Sequence, residues 1–230
     1  MRHHNLVFFI SSIILLTSNT YDAFSQISEI GFGIGGLTYT GDLQRGYNIG
    51  NNRPGLTAFF RSNLSDVISI KFGLMGGILK DSDDNPIDQQ AALRNESFDI
   101  LLAEIATTIE YHFLDFRSDR TYLRWSPYFF TGIGIFTFSG EGERNAQFSN
   151  VQLGIPMGVG FKYTLNPKYQ LGLEWGFRKT FFDYLDNISG GDIVNKNNPF
   201  GNESDDDLYY FLGLSITYSF YKIPCPYPTN

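Results

Sequence analysis

Metal-ligating and disulfide-forming residues are scarce in this chain. It has one cysteine and three histidines in 230 residues. A zinc site of the His/Cys type needs three or four such ligands, and a small secreted domain held by internal disulfides needs paired thiols. The sequence therefore excludes both classes of protein.

Charge is also scarce, and most of it is negative. Asp, Glu, Lys and Arg make up 18% of the chain, below the ~25% of an average soluble domain. Lys and Arg together number 17, and the formal net charge is −7. Because phosphate binding needs clustered cations, we expect no nucleic-acid partner.

Long apolar runs are missing beyond the N-terminus, so we expect no helical membrane span in the body of the chain. Residues 1–25 have the parts of a secretory signal peptide: Arg2, an apolar stretch over residues 6–16, and the small residues Ala23 and Ser25 before the cleavage site. A membrane anchor is the alternative, but about 11 helical residues span only ~16 Å of a ~30 Å hydrocarbon core. Cleavage would leave His112 as the only histidine.

Aromatic residues and glycine are abundant, and they follow a period of two. Between Val151 and Tyr163, apolar residues at odd positions alternate with glycine, proline and polar residues. This alternation is typical of a β-strand with two different faces. Eight segments show it, at residues 29–40, 55–62, 68–74, 100–111, 126–138, 151–163, 171–178 and 208–220.

Two of these segments contain a predicted irregularity. The apolar phase changes at Gly35 and Gly36, which suggests a β-bulge. Pro156 cannot donate a ladder hydrogen bond, so we expect a bulge or a local break there.

The connections between segments alternate in length. Short turns fall at residues 62–66 and 164–168, and one of middling length spans 114–124. Longer polar connections span residues 41–54, 80–97, 139–149 and 183–206. The pattern predicts an all-β fold: an eight-stranded antiparallel transmembrane β-barrel with short periplasmic turns and longer extracellular loops.

A soluble β-sandwich or a lipocalin-like barrel would also alternate. Three features favour the membrane barrel: strands longer than the usual ~5–6 residues, an apolar face almost without charge, and aromatic residues gathered near strand ends. The predicted organisation is a signal peptide over 1–25, an outer-membrane barrel over 26–222 and a tail over 223–230. An even strand number places both ends in the periplasm.

Charged residues on the polar strand faces are expected to fill the barrel. Eight strands leave an interior just wide enough for side chains, and buried charges must be balanced. The expected interior network is a structural set of ion pairs, or alternatively the lining of a narrow ion pathway. Its members are Glu29, Arg61, Lys71, Glu104, Glu110, Lys162, Glu174 and Arg178. We expect Arg178 to pair with Glu174 or Glu104.

No motif in the chain predicts an enzyme, a metal site or a cofactor. His112 has no nucleophile near it in sequence and is expected to be an interfacial polar residue. The glycines over residues 31–36 lack the Lys-Ser/Thr ending of a phosphate loop and are expected to relieve crowding in the barrel. Asp183, Asp186 and the acidic run 203–207 lack EF-hand spacing, so a solvated loop is expected.

Several sequence blocks resemble one known family. The match covers essentially the whole mature chain. The blocks are SEIGFGIG at 28–35, YTGDL at 39–43, RPG at 53–55, SPY at 126–128, GIG at 132–134, IPMGVG at 155–160, GFRKT at 176–180 and DYLD at 183–186. The last two are the most specific. Together they resemble the PorG-like outer-membrane proteins of Bacteroidetes.

The resemblance implies a non-enzymatic barrel of the type IX secretion system. In that system a periplasmic ring, made of a PorK-like lipoprotein and a PorN-like protein, sits under the outer membrane. The barrel is thought to tie the ring to the membrane, and in gliding species the machinery also supports motility. The implied partners are these ring proteins and outer-membrane lipid.

Cys225 lies in the proline-rich tail, which the even strand number places in the oxidising periplasm. A lone thiol there suggests a disulfide to another chain, and the resemblance favours the ring lipoprotein. An incidental unpaired cysteine is the alternative.

Two other functions compete with a secretion-machine component. A stand-alone adhesin or surface receptor would use the long outer loops. A barrel enzyme is weakened by the single mature histidine.

Overall fold

The computed structural model describes six stretches of the chain. They are residues 27–40, 49–82, 97–117, 122–140, 151–181 and 208–220. The signal peptide 1–25, the tail 223–230 with Cys225, and the acidic loop residues 183–206 lie outside the described residues.

Eight strands form, one for each alternating segment, and the prediction of eight is confirmed. Their bounds are β1 Ser28–Thr40, β2 Arg53–Asn63, β3 Ile68–Ser82, β4 Ser97–His112, β5 Trp125–Gly140, β6 Val151–Asn166, β7 Tyr169–Thr180 and β8 Leu208–Phe220. A short 3-10 helix, Ile49–Asn51, precedes β2. Several strands extend beyond their segments because ladder pairing continues where the alternation fades.

The strands form a closed antiparallel barrel in chain order. Each strand pairs with the next, and β1 pairs with β8 from Ser28 opposite Phe220 to Thr40 opposite Leu208. Closure leaves no unpaired sheet edge. The predicted fold class, an all-β eight-stranded antiparallel barrel, is confirmed.

The two faces of the strands differ, as the alternation predicted, except that inward positions near the long connections are also apolar. Apolar side chains point outward; Ile34, Ile105 and Ile133 expose 67%, 66% and 69% of their surface. Glycine, polar and charged residues point inward, where most are buried. A water-soluble protein has the reverse arrangement.

No bulge occurs at Gly35 and Gly36, and that prediction is wrong. The registers of β1 with β2 and with β8 continue through both residues. The apolar phase changes because the inward positions themselves become apolar: Leu37 and Tyr39 are fully buried inside the barrel.

At Pro156 the ladder has a local break without a bulge. Pairing of β6 with β5 passes from Met157 opposite Thr131 to Gly154 opposite Gly134, and the register is the same on both sides. The missing proline N–H accounts for the gap. The register shift of β6 lies instead between Thr164 and Asn166, beside the turn into β7.

An apolar layer fills the barrel at the end that carries the longer connections. Its residues are Leu37, Tyr39, Met75, Leu79, Ile100, Leu102, Phe136, Phe138, Tyr209 and Phe211. Six of these ten side chains are from the ends of β1, β4 and β5 that adjoin the long connections. Beneath the layer, toward the short turns, the interior becomes charged.

Inward glycines make room for inward rings, as expected. A Cβ atom added to Gly31 would overlap the ring of Phe59. The glycine at this position therefore serves packing inside the barrel.

Among the described residues, no helix is long and apolar enough to cross a membrane.

A matched pair of glycines tests the close approach of β4 and β5. A Cβ at Gly132 would overlap the carbonyl oxygen of Thr107, whereas a Cβ at Gly73 meets nothing nearer than Phe59 Cβ at 4.0 Å. We expect Gly132→Ala to lower the free energy of unfolding by about 1–3 kcal/mol, because two backbones must move apart. Gly73→Ala should stay within about 1 kcal/mol of wild type.

The measurement is urea unfolding in lipid vesicles, followed by tryptophan fluorescence and heat-modifiable gel mobility. Equal midpoints for the two variants would contradict the backbone contact at Gly132.

Candidate functional site

The charged interior is the candidate functional site. Strand phase points all eight expected charged side chains into the barrel. Seven of them are buried: Glu29, Arg61, Lys71, Glu104, Glu110, Lys162 and Arg178. The eighth, Glu174, has 16% of its side chain exposed.

Glu110 on β4 is the centre of the larger ion-pair group. Arg61 on β2 donates a hydrogen bond to it from Nη2 at 3.1 Å, and Arg61 Nε lies 2.8 Å from its other oxygen without hydrogen-bond geometry. Lys162 and Lys71 approach its carboxylate to 3.5 and 3.6 Å. One arginine and two lysines therefore compensate one fully buried carboxylate.

Glu29 on β1 extends this group toward the short-turn end. It accepts a hydrogen bond from Arg61 Nη1 at 2.8 Å and from Asn63 Nδ2 at 2.7 Å. Gln170 on β7 donates a weaker one at 3.3 Å. Lys162 Nζ lies 3.7 Å from the same carboxylate.

Lys71 connects the group to β7. Its ammonium lies 2.5 Å from Glu174 Oε2, and Tyr128 also donates to that oxygen, at 3.2 Å. The rings of Phe59 and Phe130 lie 5.5 and 5.0 Å from the same ammonium. These aromatic faces stabilise a cation that has left water.

A smaller second group lies nearer the apolar layer. Arg178 Nε is 3.3 Å from Glu104 Oε2, and the hydroxyl of Tyr209 donates to the same oxygen at 2.5 Å. Of the two partners expected for Arg178, the structure selects Glu104. Tyr209 belongs to the apolar layer and joins it to the charged region.

A cavity of about 20 Å³ lies between the two groups. Its lining includes Lys71, Glu104, Thr108, Glu174 and Arg178. Such a polar cavity is large enough for one water molecule.

His112 does not lie at a membrane interface, and that expectation is wrong. It is fully buried, with Nε2 3.5 Å from Glu110 Oε2. The inward phase of β4 runs through its last residue, which carries the ring inside. Among the described residues, neither ring nitrogen of His112 has a hydrogen-bond partner.

The residues that cover the short-turn end were missed by the sequence analysis. Phe116 is 5% exposed and packs against His112 at 5.2 Å between ring centroids. Arg117 crosses beneath the barrel and donates to Ser65 O, Asp66 O and Ser69 Oγ. Both lie in a connection without periodicity, so no sequence signal identifies them.

Burial lowers the pKa of Arg117 from its ordinary value, and the carboxylate of Glu29 opposes that shift. The guanidinium stays charged, because an arginine pKa starts far above neutrality.

The arrangement suits a structural role better than transport. The described interior passes from Phe116 and His112, through paired charges, to the apolar layer. An ion that moved along it would have to break buried ion pairs and then cross hydrocarbon side chains. Within the described stretches, no cluster of three His, Cys, Asp or Glu residues is placed to hold a metal ion.

Replacing Arg178 with leucine tests whether the smaller ion pair is buried. Glu104 would then lose its cation, and we expect the free energy of unfolding to fall by about 3–5 kcal/mol. Lys179→Leu, at the adjacent outward position, should change it by less than about 1 kcal/mol. Urea unfolding in lipid vesicles measures both.

The double variant Arg178→Leu, Glu104→Leu should recover part of the loss, because no charge is then left unpaired. Equal stabilities of Arg178→Leu and wild type would show that the pair contributes nothing.

Solved structures with the same fold include two outer-membrane proteins. Neisserial surface protein A aligns with a TM-score of 0.53 and 11% identity over 84% of this chain and 97% of its own. A major outer membrane protein from Thermus thermophilus aligns with a TM-score of 0.51 and 15% identity over 85% of this chain and 100% of its own. At such identities the likeness shows the fold alone.

Curated protein sequences contain no match to this chain. A protein family does match, over residues 6–229. The chain belongs to the family described as DUF6089, a domain of unknown function.

Proposed function

We propose that this chain is a non-conducting outer-membrane barrel that anchors the periplasmic ring of a type IX secretion machine. The observation that carries the membrane location is the inverted barrel surface: apolar side chains outside and ion pairs inside. Only a hydrocarbon surround makes that arrangement stable.

Strand length and aromatic placement support the membrane location. The strands have 11 to 16 residues, and ~9–11 suffice for a tilted crossing. Tyr111, Phe113, Trp125, Tyr163 and Tyr169 are exposed near the short-turn end of the barrel. Such a ring of aromatic residues is typical of the membrane–water interface. We assign this end to the periplasm, because outer-membrane barrels have short turns on that side.

The filled interior favours an anchor over a channel. Eight strands enclose only side chains, and here these are the ion-pair groups and the apolar layer. The protein would therefore act through its rims, its outward surface and the chain segments beyond the barrel.

The proposal that the periplasmic ring is the partner rests on the resemblance to the PorG-like family. Its blocks over 28–35 and 155–160 fall in β1 and β6, and GFRKT at 176–180 contains the ion-paired Arg178. The tail 223–230, with Cys225, follows the last strand on the proposed periplasmic side. In gliding species, the same anchor would serve motility.

A surface adhesin or receptor is the second candidate. The connections that favour it are 83–96 and 181–207, both at the end opposite the short turns. An adhesin would use these loops, whereas an anchor would use the periplasmic side.

A pull-down from native membranes distinguishes the two candidates. We expect the full chain, solubilised in mild detergent, to recover the ring lipoprotein and its partner. A barrel of the same membrane without a periplasmic tail is the control and should recover neither. Surface ligands without ring proteins would support the adhesin instead.

Cys225 allows a second test, which asks whether the tail is linked to the ring by a disulfide. A covalent link to the ring should appear as a heavier, reductant-sensitive species on non-reducing gels. Cys225→Ser should remove that species. If the species is absent, or survives the substitution, the tail makes no disulfide to the ring.

Planar-bilayer recording tests the absence of conduction. Wild-type protein should insert without steady conductance steps, because the apolar layer and the ion pairs occupy its interior. A 16-stranded porin inserted under the same conditions is the positive control. Reproducible single-channel steps from the wild type would contradict the proposal that side chains fill the interior.

A further inference from the structure

The cavity between the two ion-pair groups is lined by an inward glycine that has open space around it. Gly73 on β3 shares the inward phase of Lys71. A Cβ atom at Gly73 would meet nothing nearer than Phe59 Cβ at 4.0 Å, whereas one at Gly31 would overlap the Phe59 ring. Close packing therefore requires glycine at position 31 but not at position 73, where the missing side chain enlarges the cavity.

A buried hydroxyl group on the cavity wall lacks a protein partner. Thr108 on β4 lines the cavity and is 3% exposed. Within the described stretches, its Oγ1 atom has no hydrogen-bond partner. Nearly all buried polar groups are hydrogen-bonded to protein or to ordered water, because leaving one unpaired is costly. The hydroxyl therefore indicates a cavity occupant that can form hydrogen bonds.

Two charged residues on the wall keep unused hydrogen-bonding capacity. In the described part of the chain, both hydrogen bonds to Glu174 are accepted by Oε2, and 16% of its side chain stays exposed. Among the same residues, Arg178 donates two long hydrogen bonds, from Nε to Glu104 Oε2 at 3.3 Å and from Nη1 to Gly176 O at 3.4 Å. A guanidinium has five N–H groups, so Arg178 has donors left for another acceptor.

The volume and the charge of the cavity select its occupant. The charged residues on its wall are Lys71, Arg178, Glu104 and Glu174, so two cations face two anions. An added ion would find no free counter-charge, and burying an unpaired charge is very costly. The volume of about 20 Å³ meets the ~10–15 Å³ that a single water molecule needs. Cavities that stay empty are apolar, and this wall is polar.

We propose that one water molecule occupies the cavity and connects the two ion-pair groups. It accepts a hydrogen bond from Arg178, donates one to Glu174 and pairs with the hydroxyl of Thr108. Three polar partners are the usual number for a buried water. Lys71 ties Glu174 to the group of Glu110, whereas Arg178 pairs with Glu104. The water therefore joins two groups into one network, a role that is separate from the choice of any partner protein.

A crystal structure of the full chain tests the occupant directly. We expect one electron-density peak in the cavity, ~2.5–3.0 Å from Thr108 Oγ1. Gly73→Val fills the space and should remove the peak. Gly76→Val adds the same side chain on the outward face of β3, where a Cβ atom also has room, and should leave the peak in place.

The sign of one stability change gives a second test. Thr108→Val keeps the shape of the side chain but removes its hydroxyl. With water bound, one hydrogen bond is lost, and the equilibrium constant of unfolding should rise about fivefold. Thr107→Val, at the adjacent outward position of β4, should not raise it. Urea unfolding in lipid vesicles measures both variants.

An empty cavity would give the opposite sign. Thr108→Val would then remove an unsatisfied hydroxyl and unfold at the same or a higher urea concentration, which would overturn the proposal. A cavity without electron density would also overturn it. So would an anomalous signal from rubidium or bromide soaked into the crystals, because the occupant would then be an ion. The wild-type density decides the question even if a variant fails to fold.

Discussion

Glu110 and Arg61 form the contact on which the interior of this barrel depends. The arginine donates one hydrogen bond to the carboxylate, places a second nitrogen 2.8 Å from it, and donates from a third to Glu29. The ammonium groups of two lysines also lie close to the Glu110 carboxylate. A closed eight-stranded barrel leaves no room for bulk water, so each inward charge must find its counter-charge on another strand. The pairs therefore tie β1, β2, β3, β4, β6 and β7 together across the interior.

The apolar layer occupies the opposite end of the barrel. Aromatic rings and aliphatic side chains fill the section next to the long connections. Tyr209 joins the two regions, because its ring packs in the layer while its hydroxyl donates to Glu104. The interior is thus charged at one end and apolar at the other, and the outer surface is apolar throughout its middle.

The errors at Gly35, Gly36 and His112 have one physical source: alternation reports the two faces of a strand but not what each face meets. At Gly35 and Gly36 the apolar residues change from outward to inward positions, although the strand continues without a bulge. The reason is that Leu37 and Tyr39 belong to the apolar layer inside the barrel. His112 was expected to be an interfacial polar residue, yet its inward phase buries it beside Glu110. Phe116 and Arg117 lie in a connection, where neither period two nor any motif indicates a position under the barrel.

The sequence by itself determined the number of strands, their faces, the alternation of connection lengths and the set of charges directed inward. These properties are local, because a period of two and a turn each depend on residues that are neighbours in the sequence. Only the tertiary structure decided that Arg178 pairs with Glu104 rather than Glu174, and that Glu110 takes three cations. Those relations depend on register and on the stagger of strands around a closed barrel, which bring together residues far apart in the chain.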